Sequence, residues 1–455
     1  MKLLVIDPFG DGLDVAVRAQ RDGHDVKYFV RPTPETKYVG VGFVTRVEDY
    51  RRHVDWADVV FAVDNTLYVR DLQGARMRGH RGIICANEVT TAWETDRAEG
   101  QRVFRTAGIA TIPFKEFHDY DAAIAYVKKT DERYVSKPSD EEDKALSYVA
   151  KSPEDLVYML ERWKKLGKLK APFILQEFKE GTEMAVGAFY SQHSGFSPWC
   201  ENWEFKKLMN DDLGIATGEQ GTVLRFVSDS RLAKKVLQPV EQQLAEENYI
   251  GYVDVNCIID DKGAAWPLEF TMRPGWPTYN IQLALCKGDT AQWLYDLTRG
   301  KTTDTWILNH VAVGVVLSIP DYPYSNFTKK EVIGIPIYGV EERALEDTEK
   351  TREDLWPHLH PAEMMLAPDV PIRVKDRIIN APCPATAGDY VLVMTGTATD
   401  VSTAASLAYE RLGALNVPNS PMWRTDIGRR LKSQLPKIQQ HGYAKTMRYS
   451  PPASG

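Results

Sequence analysis

The side chains best suited to bind a metal ion lie on two apolar stretches that an Asp-Asp-Lys-Gly turn joins. Because side chains alternate along a strand, Asp254 and Asn256 share one face of the first stretch. Glu269, Thr271 and Arg273 share one face of the second stretch and its exit. A hairpin would place Asp254 near Glu269, and carboxylate oxygens are the ligands that Mg²⁺ prefers. The pattern therefore indicates either a magnesium site or a solvent-facing hairpin with ordinary charges.

Two other features suggest phosphate contacts. Lys137 ends a predicted strand, where an ammonium group can reach ATP phosphates, although a plain surface lysine fits equally well. It is followed by an acidic loop without glycine that ends at Lys144. Near the N-terminus, Gly10 and Gly12 lie in a strand-to-helix turn whose N–H groups could hold a phosphate. Glycines are common at such turns, however, and two acids there would repel an anion.

A predicted strand end and a later glycine-bearing loop are typical of nucleotide contacts, but each signal is weak alone. The segment Gln176, Glu177 and Phe178 could pair its backbone with an adenine edge, and the nearby Glu183 could accept ribose hydroxyls. Glycines let a backbone approach a ligand closely. The loop that contains Thr217, Gly218 and Gly221 could approach a ligand in this way. It could equally be an ordinary surface loop.

The surrounding pattern predicts a multidomain α/β and α+β chain. A strand, glycine turn, helix and strand open the sequence, which indicates a doubly wound domain over 1–93. Alternating helices and strands over 94–302 predict a second domain, and short strands with one clear helix predict a separate α+β domain over 303–430. We expect the basic segment 431–455 to be a solvated, partly disordered tail.

Bulk properties exclude several classes of protein. The 455 residues are too many for one core, so two to four packed units are expected. A formal net charge of −7 and a pI near 5.8 argue against a surface that coats nucleic acid. The five cysteines are scattered without a CxxC pair, and no segment reads as a signal peptide or membrane span. These properties predict a cytoplasmic protein.

Five stretches resemble motifs of the phosphoribosylamine–glycine ligase (glycinamide ribonucleotide synthetase) family of the ATP-grasp superfamily, in the same order. MKLLVID resembles the family's opening strand, and FILQEFKEGTEMAV resembles its EEF-x-G-EE hinge. KKLMNDDLGIATGEQG is similar to a lysine-rich stretch ending in TGGMG. EFTMR resembles the metal strand E-F-N-V-R, and MWRTDIG resembles the closing Y-R-x-D-I-G. The resemblance predicts an ATP-grasp fold with an N-terminal pre-ATP-grasp domain and a lid lobe over about 108–185.

The resemblance also implies a chemistry: Mg-ATP activates a carboxylate as an acyl phosphate, and an amine then displaces phosphate. Mn²⁺ is an alternative ion, the partners are small-molecule carboxylate and amine substrates, and the chain is a monomer or homodimer. The implied metal ligands are Asp254, Glu269 and Thr271. The implied ATP contacts are Lys137, Lys144, Gln176, Glu177, Phe178, Glu183 and Lys207, with Lys137 and Arg273 as catalytic residues. The implied substrate contacts are Gly10, Gly12, Asp64, Asn65, Thr217, Gly218, Gly221, Arg273 and Gly275.

Several positions depart from the family pattern. The glycine-rich phosphate loop is replaced by the acidic stretch after Lys137, and the family's other ATP lysine falls near the uncharged Gln101. Thr271 stands where the family has asparagine, and Asp254 is an acid where the family is usually apolar. The N-terminal turn and the stretch after Arg273 also differ. We therefore expect altered substrates, such as a nucleotide or nucleobase derivative with an amino acid. The alternative is an inactive relative that binds a nucleotide or a partner protein.

Overall fold

The N-terminal unit is a parallel sheet flanked by helices, as predicted. The computed structural model describes residues 1–138, 147–168, 172–301, 307–324, 330–340, 355–374, 376–418 and 420–451. The sheet has the strand order β2-β1-β3-β4, and five of the six residues of its first strand are buried. Its elements are β1 (Lys2–Asp7), α1 (Leu13–Arg21), β2 (Asp25–Val30), β3 (Val59–Ala62), α2 (Val69–Met77) and β4 (Ile83–Ile84).

Two helices lead from this unit to a small antiparallel lobe. They are α3 (Glu88–Thr95), capped by Asn87, and α4 (Arg97–Thr106), capped by Asp96. The lobe has the strand order β5-β8-β6-β7 and falls within the predicted lid. Its elements are β5 (Phe114–Phe117), α5 (Tyr120–Thr130), β6 (Tyr134–Pro138), β7 (Tyr148–Val149), α6 (Pro153–Lys165) and β8 (Phe173–Glu177).

The largest sheet has nine strands in the order β14-β13-β9-β11-β12-β15-β19-β16, with β10 paired to β9. Its first six strands in the chain are β9 (Thr182–Ser191), β10 (Gly195–Phe196), β11 (Trp199–Glu204), β12 (Gly221–Val227), β13 (Ile250–Ile259) and β14 (Ala265–Thr271). Helices cover it at α7 (Arg231–Val236), α8 (Glu241–Glu246), α9 (Thr278–Leu283) and α10 (Thr290–Thr298).

The C-terminal part contributes to the same sheet instead of forming a sheet of its own. Strand β15 (Val311–Leu317) is wholly buried and pairs with β12 on one side. The remaining elements are β16 (Leu359–Pro361), β17 (Met364–Val374), β18 (Arg377–Thr386), β19 (Leu392–Ala398), α11 (Val401–Ala414) and α12 (Leu431–Gln439). The expected domain boundary near residue 303 therefore does not coincide with a break in the sheet.

The basic segment after residue 430 packs onto the protein through residue 451, so the expectation of a solvated tail is wrong for that part. Leu431, Leu435 and Ile438 recur on one face of α12 and are buried. The buried Tyr443 hydroxyl donates to the carbonyl oxygen of Gly263 at 2.8 Å. The segment thus closes over the turn between β13 and β14.

Two general expectations can be compared with the described residues. The five cysteines are free thiols, and four of them are buried, which agrees with the absence of a disulfide framework. Within the part of the chain that the structure describes, no helix is both long enough and apolar enough to cross a membrane.

Candidate active site

The hairpin of β13 and β14 forms, but its register differs from the expected one. Asp254 pairs with Thr271, and Asn256 pairs with Glu269. A bulge follows Asn256, so the pairing changes by one residue before the turn. Asp254 is therefore a diagonal neighbour of Glu269 on the same face, while the residue directly opposite Glu269 is Asn256. All four side chains still share one face, because directly paired residues of an antiparallel ladder point the same way.

Glu269 is the centre of a group of cations. Its Oε2 accepts a hydrogen bond from Nη1 of Arg97 at 2.9 Å. Desolvation in the cleft opposes ionisation, but the charges of Lys137, Arg97 and Lys206 outweigh it and hold the pKa of Glu269 at about 2. Burial lowers the pKa of Lys137 to about 8, although the charge of Glu269 opposes that shift. The predicted residues Lys137 and Glu269 thus lie close enough for their charges to interact across the cleft between the lid and the large sheet.

Arg97 is a site residue that sequence reasoning missed. Gln101, where a lysine was expected, is buried, and its Nε2 donates to the carbonyl oxygen of Leu268 at 3.1 Å. Arg97 lies one helical turn earlier on α4, on the same side of the helix. Arg97 therefore places a positive charge on the side of the helix where Gln101 has none. The only sequence signal was this i, i+4 spacing.

The lysine that faces the site is Lys206 rather than Lys207. Nζ of Lys206 lies 3.3 Å from Oε1 of Glu183 and 2.9 Å from Oε2 of Glu204. These acids outweigh the desolvation that opposes its charge, so the pKa of Lys206 is raised well above its usual value. The carbonyl oxygen of Lys207 accepts from Nη1 of Arg424 at 3.0 Å. Glu183, predicted to contact ribose, is thus already paired with a cation of the site.

The donor set suits Mg²⁺ that arrives with ATP. Glu269 offers a carboxylate, Asn256 an amide and Thr271 a hydroxyl, all on one face of the hairpin. Among the described residues there is no group of three His, Cys, Asp or Glu side chains that could hold a metal alone. Mg²⁺ is commonly bound through one or two carboxylates together with substrate phosphates, so such a group is not required. Asp254 lies on β13 beside this set.

The predicted adenine contacts lie at the exit of the lid sheet. Gln176 is buried and pairs with Phe114, and Glu177 Oε2 is 3.0 Å from Nζ of Lys179. The guanidinium of Arg133 lies 3.4 Å from the ring centroid of Phe178. The face of Phe178 is thus covered by a cation, while its adenine contact stays a prediction. Lys144 lies outside the described residues.

The N–H groups of the N-terminal turn are hydrogen-bonded to a side chain of the protein itself. Oδ1 of Asp7 accepts from N of Phe9 and N of Gly10 at 2.9 Å each, and Oδ2 accepts from N of Gly12 at 2.7 Å. The Tyr28 hydroxyl also donates to Oδ2 at 2.7 Å. The prediction that Gly10 and Gly12 bind a substrate phosphate through this turn is therefore wrong, since a carboxylate of the chain occupies that position.

Arg273 is oriented by an acid that the sequence did not reveal. Its Nε lies 3.1 Å from Oε1 of Glu94. The other oxygen of Glu94 accepts from N of Met272 at 2.6 Å and from Nδ2 of Asn65 at 2.7 Å. Glu94 thus joins Arg273 and Asn65, and the substrate contact of each stays a prediction. Asp64 instead accepts from the backbone of its own turn.

The glycine-bearing loop before β12 borders the cleft. The Thr217 hydroxyl donates to the carbonyl oxygen of Lys206 at 2.9 Å, which fixes the loop beside that lysine. A Cβ atom added at Gly218 or Gly275 would meet no heavy atom within 4 Å, so both residues face open space. Gly221 is different, because a Cβ there would lie 2.5 Å from the carbonyl oxygen of Gly314. Gly221 is therefore required for packing within the sheet.

Comparison with known proteins agrees with this geometry. Residues 95–278 match the model of the phosphoribosylglycinamide synthetase ATP-grasp (A) domain. Phosphoribosylamine–glycine ligase of Mycobacterium tuberculosis is 26% identical over 269 residues, 57% of this chain and 56% of that protein. The enzyme of that name from Streptococcus pneumoniae strain R6 is 24% identical over 347 residues, 71% of this chain and 81% of that protein. The chain thus spans little more than half the length of the mycobacterial relatives it matches.

Solved structures share the fold. Phosphoribosylamine–glycine ligase from Thermotoga maritima has a TM-score of 0.67 at 18% identity, with 94% of this chain and 100% of that chain covered. The L-amino acid ligase from Bacillus licheniformis has a TM-score of 0.55 at 14% identity, with 92% and 99% covered. Residues 95–278 therefore match the ATP-grasp (A) domain of phosphoribosylglycinamide synthetases, and the chain shares the fold of these solved ligases.

Proposed function

We propose that the protein is a Mg-ATP-dependent carboxylate–amine ligase that forms an amide through an acyl phosphate. The observation that carries this proposal is the meeting of Glu269 from the large sheet with Arg97 and Lys137 from α4 and the lid. A ligand bearing phosphates and a divalent ion fits between such groups, since it needs both a carboxylate for the ion and cations for the phosphates. The related ligases named above act by joining an amine and a carboxylate compound, which supports the same chemistry.

Each charged group has a role in this proposal. Lys137, Lys206 and Arg97 neutralise the phosphates of ATP, so that an anionic carboxylate can approach the γ-phosphate. Arg273, held by Glu94, orients that carboxylate and then the acyl phosphate. Mg²⁺, bound through Glu269 with Thr271 or Asn256, would supply further charge neutralisation. Preorganised cations are suited to this reaction because charge accumulates on the transferred phosphoryl group.

The substrates are proposed to differ from those of phosphoribosylamine–glycine ligases. The N-terminal turn around Gly10 is occupied by Asp7, and Pro-Gly-Trp-Pro follows Arg273 in place of the family's usual motif. Candidate pairs are a nucleotide or nucleobase derivative with an amino acid, or another small amine with a carboxylate.

The decisive experiment is ADP release by the purified protein with Mg-ATP. Glycine with freshly prepared phosphoribosylamine is compared with a panel of other amino acids and amines. Release that requires one carboxylate and one amine together, with stoichiometric amide product, would support the ligase. Saturable Mg-ATP binding without ADP release in any mixture would contradict it.

A second function is favoured by the composition of the lid. The stretch Ser-Asp-Glu-Glu-Asp follows the Lys137-Pro pair, where the family has glycines that wrap phosphates. An inactive relative that binds a nucleotide or a partner protein would tolerate this loss. Quantitative turnover with any substrate pair would exclude that alternative.

A further inference from the structure

A group of three carboxylates lies on the cleft face of the large sheet, beside the proposed ATP site. The acidic group comprises Glu204, Glu219 and Asp254, of which Glu219 and Asp254 are buried. Strand β9 runs between β11 and β13, and its small residues leave room for side chains to meet above it. The Asn202 side chain reaches from β11 over β9, and its Nδ2 donates to Oδ2 of Asp254 at 2.9 Å. Asp254 is paired with Gly187 of β9.

Glu204 and Glu219 approach the same region from the end of β11 and the start of β12. Glu204 pairs with Thr222, whose hydroxyl lies 3.3 Å from that of Thr278. Nδ2 of Asn256 donates to Oε2 of Glu204 at 3.3 Å. Glu204 and Asp254 are therefore each held by the amide of a neighbouring asparagine.

Three oxygen atoms of this region lack a partner. Oδ1 of Asp254, Oε1 of Glu219 and Oδ1 of Asn202 accept no hydrogen bond from any residue that the structure describes. The three side chains belong to residues that are at most 4% exposed. An unsatisfied buried polar atom costs about 1–3 kcal/mol, so native proteins rarely retain several together without a reason. All three atoms are acceptors, which indicates that the missing partner is a donor or a cation.

The charge balance indicates a cation. Lys206 pairs with Glu204 and Glu183, whereas neither Glu219 nor Asp254 forms an ion pair within the described ranges. Buried carboxylates of native proteins are normally paired with a cation. A cationic group of a ligand would therefore complete the contacts of Glu219 and Asp254.

The acidic group is particular to this chain, and open space lies beside it at two glycines. Gly218, next to Glu219, faces open space, and so does Gly275 near Thr278. Glu219 stands where the similar family motif TGGMG has glycine, and Asp254 stands where the family is usually apolar. Two of the three acids therefore distinguish this chain from the family that its ATP-grasp domain matches.

We propose that Glu204, Glu219 and Asp254 bind the ammonium group of the amine substrate, which is a primary amine, cationic near neutral pH and without a phosphate. This inference rests on the proposed ligase function and names its amine. The ammonium transfers one proton to a carboxylate of the group, which frees its nitrogen lone pair. That nitrogen forms a bond to the acyl carbon, and the bond from this carbon to the phosphate oxygen breaks, so phosphate leaves with the electron pair. The nitrogen then transfers a second proton to another carboxylate of the group, which leaves a neutral amide.

The test uses the full chain, the isosteric variants Glu219→Gln and Asp254→Asn, and the exposed control Asp229→Asn. Calorimetric titrations with ethylammonium, 1,4-diaminobutane and glycine are made in the presence of Mg-ADP. We expect at least one probe to bind, with an affinity at least tenfold weaker in either variant and unchanged in the control. Mg-ADP affinity should stay within twofold of wild type in Glu219→Gln and in the control Asp229→Asn, which separates the amine subsite from the nucleotide site.

Failure of this inference is distinguishable from failure of the ligase proposal. Amine binding that depends on Glu219 and Asp254, without ADP release in any mixture, would retain the subsite and reject the ligase. ADP release with phosphoribosylamine whose KM is unchanged in both variants would overturn the subsite and retain the ligase. Absence of binding by every ammonium probe, or affinities equal in wild type and variants, would also overturn it. So would loss in the variants of Mg²⁺ binding alone, because the group would then be a metal site.

Discussion

Nη1 of Arg97, at the start of α4, lies 2.9 Å from Oε2 of Glu269 on the last strand of the site hairpin. The pair joins the helix before the lid to the large sheet, and both side chains are about one-third exposed. An exposed ion pair of this kind contributes about 1 kcal/mol or less to stability. Its position beside Lys137 therefore points to a role in binding ATP rather than in folding.

Replacing Arg97 by Ala is expected to raise the KM for ATP by about 10-fold to 100-fold, because a charged contact to phosphate is lost. The free energy of unfolding should change by less than about 1 kcal/mol. Arg102→Ala is the matched control, since Arg102 lies on the same helix and pairs with the exposed side of Glu99. Steady-state ADP release would measure both variants. Equal KM values for Arg97→Ala and the control would exclude Arg97 from the site.

Replacing Glu269 by Gln is expected to reduce ADP release by at least about 100-fold, because the carboxylate proposed to bind Mg²⁺ is lost. The neighbouring cations also lose the negative charge that balances them. The protein should remain folded, because this side chain is partly exposed. Circular dichroism and the thermal midpoint would establish folding, and Glu116→Gln on the exposed face of the lid would serve as control. Turnover of Glu269→Gln at the rate of the control would refute the assignment.

The protonation of Lys137 should appear in the pH dependence of ATP use. Burial lowers the pKa of Lys137 to about 8, so its ammonium is present below that pH and is lost above it. We expect kcat/KM for ATP to fall as pH rises through about 8, since this constant reports on the free enzyme. Lys137→Arg, whose guanidinium stays charged, should retain its activity to higher pH than wild type. A wild-type profile that is flat from pH 7 to 9 would contradict this expectation.

Periodicity predicted the elements of this fold better than it predicted the contacts of the site. The hairpin was foreseen from alternation, but the bulge after Asn256 was not, because alternation carries no information on an inserted residue. Alternation likewise does not identify Lys206, because adjacent residues face opposite ways and the phase depends on where the strand ends, and the ATP contact of Lys207 stays a prediction. Arg97 was missed because its partner Glu269 lies 172 positions away along the chain.

The C-terminal segment after residue 430 and the N-terminal turn show two further limits of prediction from the sequence. Leu431, Leu435 and Ile438 had the spacing of a packed helix, yet the count of basic residues favoured solvent. The glycine turn alone is compatible with a phosphate site or with an ordinary turn, and Asp7 at the end of the preceding strand accepts its N–H groups. A competing acceptor within the chain is difficult to weigh without coordinates.

Replacing Asp7 by Asn should destabilise the N-terminal unit. The side-chain NH2 group of Asn is a donor and would face the N–H of Gly12 or the hydroxyl of Tyr28, which both donate to Asp7 in the wild type. Loss of such buried hydrogen bonds is expected to lower the free energy of unfolding by about 3 kcal/mol. Asp58→Asn is the control, because its exposed carboxylate accepts one bond from N of Lys2. Urea unfolding measures both, and equal midpoints would show that Asp7 contributes little.

Replacing Asp254 by Asn should change how stability depends on pH. Burial and the charge of Glu204 raise the pKa of Asp254 to about 7, so the folded protein holds a proton that the unfolded chain releases near pH 4. The favourable contribution of this carboxyl is therefore complete below about pH 4 and is lost as pH rises through about 7. Asn cannot ionise, and its variant should lose less stability over that interval, by on the order of 2 kcal/mol. Urea unfolding at pH 5 and pH 8 provides the comparison, with Asp229→Asn as an exposed control. Parallel losses in wild type and Asp254→Asn would mean that Asp254 is ionised in the folded protein throughout this range, and that a cation of the chain already compensates it.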